Sequence, residues 1–182
     1  MIKKILIIGG NGFLGTNIAQ RLKDKNFKIT LLCRTKIIDK NLKKFNYLFC
    51  DIKNFSKLKK VINDDFDCVI NLSGNINHNN KNEVFTTHYK GLKNLIDVIK
   101  EKKIKLFIQS GSSLEYGKKF SPQKETKICR PISYYGKAKY LASNYIIKKK
   151  LNFKFIILRM YQIYGPYQKN DRLVPITVNS CL

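Results

Sequence analysis

The chain lacks any apolar run long enough to cross a bilayer, which excludes a membrane-spanning helix. Its start, Met1-Ile2-Lys3-Lys4 followed by Ile5 to Ile8, has the charge order of a signal peptide. The apolar stretch is too short for one and runs straight into a glycine turn. Cys-x-x-Cys spacing is absent from Cys33, Cys50, Cys68, Cys129 and Cys181, and His78 and His88 are the only histidines. These shortages supply no ligand set for a metal, and none is expected. The cysteines, three of them in or beside apolar runs, read as buried, reduced thiols of a cytoplasmic protein. Repeats and low-complexity linkers are also absent, and 182 residues suit one domain with a real core.

Acidic residues are few: 12 Asp and Glu stand against 36 Lys and Arg, for a net charge of +24. Such an excess raises the question of nucleic acid. The pattern argues against it. Arginine occurs only at Arg21, Arg34, Arg130, Arg159 and Arg172, and lysine is spread along the whole chain. No basic stripe is interleaved with aromatics. With abundant Asn and Ile, the bias reads as an A/T-rich coding background. No specific nucleic-acid partner and no membrane partner are expected, and attraction of anionic nucleotides is a minor consequence.

What is present begins at Lys4. Lys4 to Ile8 reads as a buried strand, Gly9-Gly10-Asn11-Gly12-Phe13-Leu14-Gly15 as a turn entering a helix, and Phe27 to Cys33 as a second strand. Both Gly10-x-Gly12-x-x-Gly15 and Gly9-x-x-Gly12-x-x-Gly15 fit the dinucleotide fingerprint. Glycine allows the tight turn, lets a pyrophosphate reach bare backbone, and packs helix on strand. Further strands are expected at 47–50, 68–72, 106–109 and 153–158, with helices at 12–25, 54–63, 83–102 and 133–150. This alternation predicts an α/β fold with a doubly wound parallel sheet, its strands buried on both faces. Ligands of such a sheet sit beyond the carboxyl ends of its strands. Gly9 to Gly15, Asn71 to Gly74 and Ser110 to Ser113 would therefore surround one crevice.

Tyr135 and Lys139 are one helical turn apart, and a nearby cation favours a phenolate that can exchange protons. Tyr89/Lys93 and Tyr145/Lys149 share the spacing and read as solvated helix faces. Tyr135 is set apart because it opens a helix after Pro131-Ile132-Ser133 and follows the serine-rich end of a strand.

Together these motifs resemble the extended short-chain dehydrogenase/reductases of the nucleotide-sugar epimerase/dehydratase type. They run in family order through nearly the whole chain: Gly9-x-x-Gly12-x-x-Gly15, Asp51-Ile52, Asn71-Leu72-Ser73-Gly74, Ser112 to Tyr116-Gly117, Tyr135-x-x-x-Lys139, and Leu158-Arg159 to Tyr164-Gly165-Pro166. The resemblance implies a Rossmann-type NAD(P)-binding domain over 1–182, with 161–182 as the start of a substrate-binding region whose remaining lobe is missing. It implies that Gly9, Gly12, Phe13, Leu14 and Gly15 hold the cofactor. Asp51 and Ile52 would flank adenine, and Leu72, Ser73 and Gly74 would line the cofactor. Lys139 would hold the nicotinamide ribose and lower the tyrosine pKa, Tyr135 would be the acid/base, and Ser112 would complete the triad. The implied activity is hydride transfer at a carbon of a nucleotide-activated sugar, most often C4. A homodimer packed through helices beginning near Glu83 and Ser133 is implied as well.

Departures refine the expectation. The second strand ends in Cys33-Arg34-Thr35-Lys36, where NAD users commonly carry an acid. An arginine can clasp a 2′-phosphate, so NADP(H) is favoured, with NAD(H) the alternative. Sugar dehydratases carry a glutamate where this chain has Leu114, and Glu115 falls on the wrong side of the alternation. Family asparagines are replaced by His88 and Gln162. The segment from Leu158 to Pro175 is similar to sugar 4-ketoreductases of the abequose-synthase type. Ketoreduction is slightly favoured over epimerisation, and a non-catalytic dinucleotide sensor is the rival reading.

Overall fold

Lys4–Ile8 (β1) forms the centre of a sheet because its side chains are apolar on both faces. Leu6 and Ile8 enter one hydrophobic core, and Ile5 and Ile7 enter another, as a period of two requires. This arrangement comes from a computed structural model, which describes residues 1–36, 40–75, 79–118 and 120–182. His78 lies outside the described residues.

The other strands are Lys28–Cys33 (β2), Asn46–Phe49 (β3), Cys68–Asn71 (β4), Leu106–Ser112 (β5) and Lys154–Met160 (β6). All pairings are parallel, in the order β3-β2-β1-β4-β5-β6. This is the expected Rossmann-type doubly wound sheet. Strand order reverses between β1 and β4, which opens a crevice at their carboxyl ends.

Phe13–Leu22 (α1) lays the small residues Gly15, Thr16 and Ala19 against the sheet. On the opposite face, Phe55–Val61 (α2), Gly91–Ile99 (α4) and Tyr134–Lys148 (α5) bury Leu58, Leu92, Leu95, Ile96, Ala142 and Ile146. Lys81–Phe85 (α3) precedes α4, and Leu173–Cys181 (α6) closes the described chain. Asn54, Asn80 and Ser133 cap α2, α3 and α5 by accepting the N–H of Lys57, Glu83 and Gly136.

Several expectations are corrected. The helix expected at 83–102 is broken by a wide π turn, Thr86–Lys90. There the Thr86 hydroxyl donates to the Asn82 carbonyl at 2.8 Å, competing with the helix ladder. The strand expected at 106–109 continues to Ser112 because β6 pairs with it as far as Met160. Burial on both faces fails at β6, the sheet edge. Ile157 packs on the core, but Ile156 and Leu158 are each 46% exposed. α6 was not expected, since its sequence lacks helical periodicity, and it buries none of its residues. The Tyr145/Lys149 pair is not merely solvated. Lys149 Nζ bonds the Tyr145 hydroxyl at 2.7 Å and Asp97 at 3.1 Å, half-buried.

Among the described residues, all five cysteines are free thiols, four buried and Cys181 exposed. Cys33 and Cys50 belong to opposite cores. No described helix is long and apolar enough to cross a membrane.

Asp67 ties the amino-terminal edge of the sheet together. Its carboxylate accepts the N–H groups of Lys3 and Lys4, each at 2.9 Å, and the Lys105 ammonium at 2.6 Å. The Lys105 bond, with those backbone donors, holds its pKa well below the usual carboxylate range. A depressed folded-state pKa gives stability that is fully present above the unfolded value, about 4. That stability fades as pH falls towards the folded value. Asp67→Asn should therefore lose about 1–2 kcal/mol at pH 7. The gap to the parent, read from urea unfolding, should shrink as pH is lowered below about 4. A gap that stays constant on acidification would refute this.

Candidate active site

The glycine turn leaves β1 with Gly9 at φ +76°, where a side chain is strained. A Cβ there would also press within 3.2 Å of the Leu72–Ser73 backbone. A Cβ on Gly15 would drive into the Gly9 carbonyl, so only glycine lets α1 lie this close to β1. The first turn of α1 has N–H groups that no helical carbonyl can accept, and they face the crevice end of the sheet.

A cavity of about 190 Å³ opens here. Of the expected cofactor residues, Gly9, Gly12, Arg34, Asp51, Ile52, Leu72, Ser73 and Gly74 line it. Phe13 and Leu14 do not, and Gly15 is buried behind the turn. Phe13 and Leu14 lie half-buried in the first turn of α1. Sequence reading missed Asn11, Thr35 and Thr87 in the lining. Asn11 donates to the Thr35 hydroxyl at 3.3 Å, tying the turn to the end of β2. Their proximity depends on β1–β2 pairing and carries no local signal. The bare glycine backbone, the helix terminus, the apolar wall at Leu32, Ile52 and Leu72, and the exposed Arg34 at the rim fit a dinucleotide.

Ser112, Tyr135 and Lys139 come together beside this cavity without lining it. Ser112 is the last residue of β5 and begins a tight 3-10 turn, Ser113–Glu115. Its hydroxyl accepts the Leu114 N–H at 3.2 Å, and Glu115 accepts the Ser112 N–H at 2.8 Å, a reciprocal cap. Tyr135 hydrogen-bonds the Ser112 side chain. Lys139 Nζ lies 5.7 Å from the centre of the Tyr135 ring and bonds the Ser110 carbonyl at 2.8 Å. His88 stands between cluster and cavity. Its ring meets Tyr135 edge-on at 5.0 Å and occupies the space a Gly74 side chain would need. The π turn presents it, and the Asn75 N–H reaches its Nε2 at 3.2 Å.

Electrostatics differ from expectation. Lys139 was expected to lower the Tyr135 pKa. Burial instead pushes it above the ordinary phenol value, opposed by the Ser112 hydrogen bond and reinforced by the Glu115 charge. Burial also brings the Lys139 ammonium down to about 8, against the pull of Glu115. A phenol in this setting is protonated at neutral pH, ready to donate.

Glu115 is fully buried and bonds Arg159 Nε at 3.0 Å. Arg159 also lies over the Tyr116 ring at 5.0 Å. This explains the pairing of the Tyr116-Gly117 and Leu158-Arg159 motifs, and it removes Glu115 from the crevice. Leu114, at the dehydratase acid position, is 50% exposed. Among the described residues, no three His, Cys, Asp or Glu side chains are grouped to hold a metal.

Comparison with known proteins adds four findings. A family model described as the NAD dependent epimerase/dehydratase family matches residues 5–182. A dTDP-D-glucose 4,6-dehydratase of Dictyostelium discoideum is 28% identical, covering 100% of this chain and 48% of its own. The human sterol-4-alpha-carboxylate 3-dehydrogenase, decarboxylating, is 26% identical, covering 98% of this chain and 48% of its own. Among solved structures, a UDP-glucuronic acid 4-epimerase from Bacillus cereus in complex with NAD superposes with TM-score 0.80. It is 24% identical, over 98% of this chain and 62% of that one, a likeness of fold. The chain thus spans about half the length of these curated relatives.

Proposed function

Because this chain belongs to the NAD dependent epimerase/dehydratase family, we propose that its crevice holds NAD(P) and serves hydride transfer on a nucleotide-activated sugar, at C4. One observation carries the reading: a hydrogen-bonded Ser112–Tyr135 pair, with Lys139 close by, beside a glycine-walled cavity at the carboxyl ends of one sheet. When bound, the nicotinamide supplies the hydride chemistry. Ser112 orients the sugar oxygen, and Tyr135 donates a proton to it as it gains negative charge. Lys139, half or more protonated at neutral pH, holds positive charge beside that oxygen.

A protonated phenol suits ketoreduction, and Arg34 at the rim suits the 2′-phosphate of NADP(H). With NAD(H) retained, the same residues would support epimerisation. Dehydration is disfavoured because Leu114 offers no base and Glu115 is committed to Arg159. The net charge of +24 favours a diphosphate-bearing sugar over a sterol that carries a single carboxylate. The outer face of α5, where Leu141 and Ile147 are exposed, is the face for a homodimer.

Fluorescence titration with NADPH and NADH side by side tests the cofactor. NADPH should bind more tightly, and Arg34→Glu should weaken it on the order of tenfold to a hundredfold, the worth of one charged hydrogen-bond pair. NADH affinity should change far less. Equal losses for both would reject the 2′-phosphate role, and binding of neither to folded protein would reject the function.

A further inference from the structure

Two buried amides sit side by side on adjacent central strands of the sheet. Asn71 ends β4, Gln109 faces it in register on β5, and each is 2% exposed. Asn71 Nδ2 donates to Gln109 Oε1 at 2.8 Å. Asn71 Oδ1 accepts the Ser73 hydroxyl at 2.6 Å. Gln109 Nε2 donates to the Ser110 carbonyl at 3.0 Å, and the same carbonyl accepts Lys139 Nζ at 2.8 Å. These bonds make an unbroken path from Ser73, on the cavity wall, to the ammonium on α5.

Buried amides are costly unless satisfied, and an apolar pair of the same shape would fill this core as well. The polar pair therefore needs a reason beyond packing. Side-chain amides pass no proton at neutral pH, so the path is not a proton wire. What it does is fix atoms.

We propose that Asn71 and Gln109 are positioning residues, an amide strut that aims the Ser110 carbonyl at Lys139 Nζ and ties that ammonium to the cavity wall at Ser73. The inference rests on the reading above that the cavity holds a dinucleotide and that Lys139 acts beside Tyr135. The strut couples the two. A ligand that moves Ser73 moves the acceptor of Lys139, and loosening the strut frees that acceptor.

The test compares the parent with the isosteric double variant Asn71→Leu/Gln109→Met, following the Lys139 ¹⁵Nζ resonance through a pH titration. A Lys139→Met variant assigns the signal. The charged or titratable groups facing Lys139 are Glu115, from the 3-10 turn, and Tyr135, on its own helix. The parent should titrate near the depressed value of about 8. The double variant should titrate lower by about one unit, a tenfold change, because a charged donor has lost a fixed acceptor. Its unfolding midpoint in urea should stay close to the parent's, and it should bind NADH about tenfold more weakly. An unchanged Lys139 midpoint in a folded double variant overturns the proposal. Gln109→Asn, one methylene shorter, breaks the path with the chemistry kept and serves if the double variant does not fold. A parent that binds neither NADH nor NADPH sinks the functional reading instead, and the Lys139 comparison still decides the strut.

Discussion

Tyr135→Phe should lower turnover by about 10³-fold while NAD(P)H affinity stays within about twofold of the parent. The phenol oxygen bonds Ser112 and lies outside the cofactor cavity, so its loss removes a proton donor without removing a wall. The pH profile gives an independent check. Burial raises the Tyr135 pKa, so the donor form is fully present at neutral pH and is lost as pH rises through that raised value. Ketoreduction should therefore begin to fall as Lys139 loses its proton near pH 8 and fall further as pH rises through the phenol's raised value, and Tyr135→Phe should erase only that upper limb. If the variant kept its turnover, the triad would be wrong. If the parent turned nothing over but bound the dinucleotide and kept a biological effect, the sensor reading would win.

The largest stability effect should come from Glu115→Ala. Removing one partner of a buried ion pair leaves the other uncompensated, at a cost of about 3–5 kcal/mol. Glu115 is fully buried, bonds Arg159 and also accepts the Ser112 N–H. The loss should appear as a lower urea midpoint at unchanged slope. Glu115→Leu combined with Arg159→Met should recover most of that stability, since a well-packed apolar pair replaces the ion pair. It should not recover activity, because the Ser112 N–H has lost its acceptor. Full activity in the double variant would show that the cap at Ser112 is dispensable.

Local signals explain why so much of this molecule was legible in the sequence. The turn at Gly9 and Gly15 is dictated by sterics that only glycine satisfies, and β1 and β2 are largely apolar runs. Ser112, Tyr135 and Lys139 were legible through motif order, although the bond between the first two spans a strand and a helix. Less was legible where neighbours decide. β5 ran on to Ser112 because β6 pairs there, and β6 was exposed because it is an edge. Phe13 and Leu14 fall in the first turn of α1, outside the cavity lining.

By itself the sequence determined the class of fold and the position of the glycine turn, and it named the residues proposed to carry the chemistry. These follow from periodicity, glycine sterics and residue type, which are local properties of a chain. Only tertiary structure decided the electrostatics. Tyr135 has its pKa raised, not lowered, because burial outweighs the Ser112 bond. Glu115 serves Arg159, and Asn71 meets Gln109 and through it Lys139, because strands far apart in sequence pair in register. Desolvation and hydrogen-bond partners are set by what folds over a residue, and nothing in its own segment encodes them.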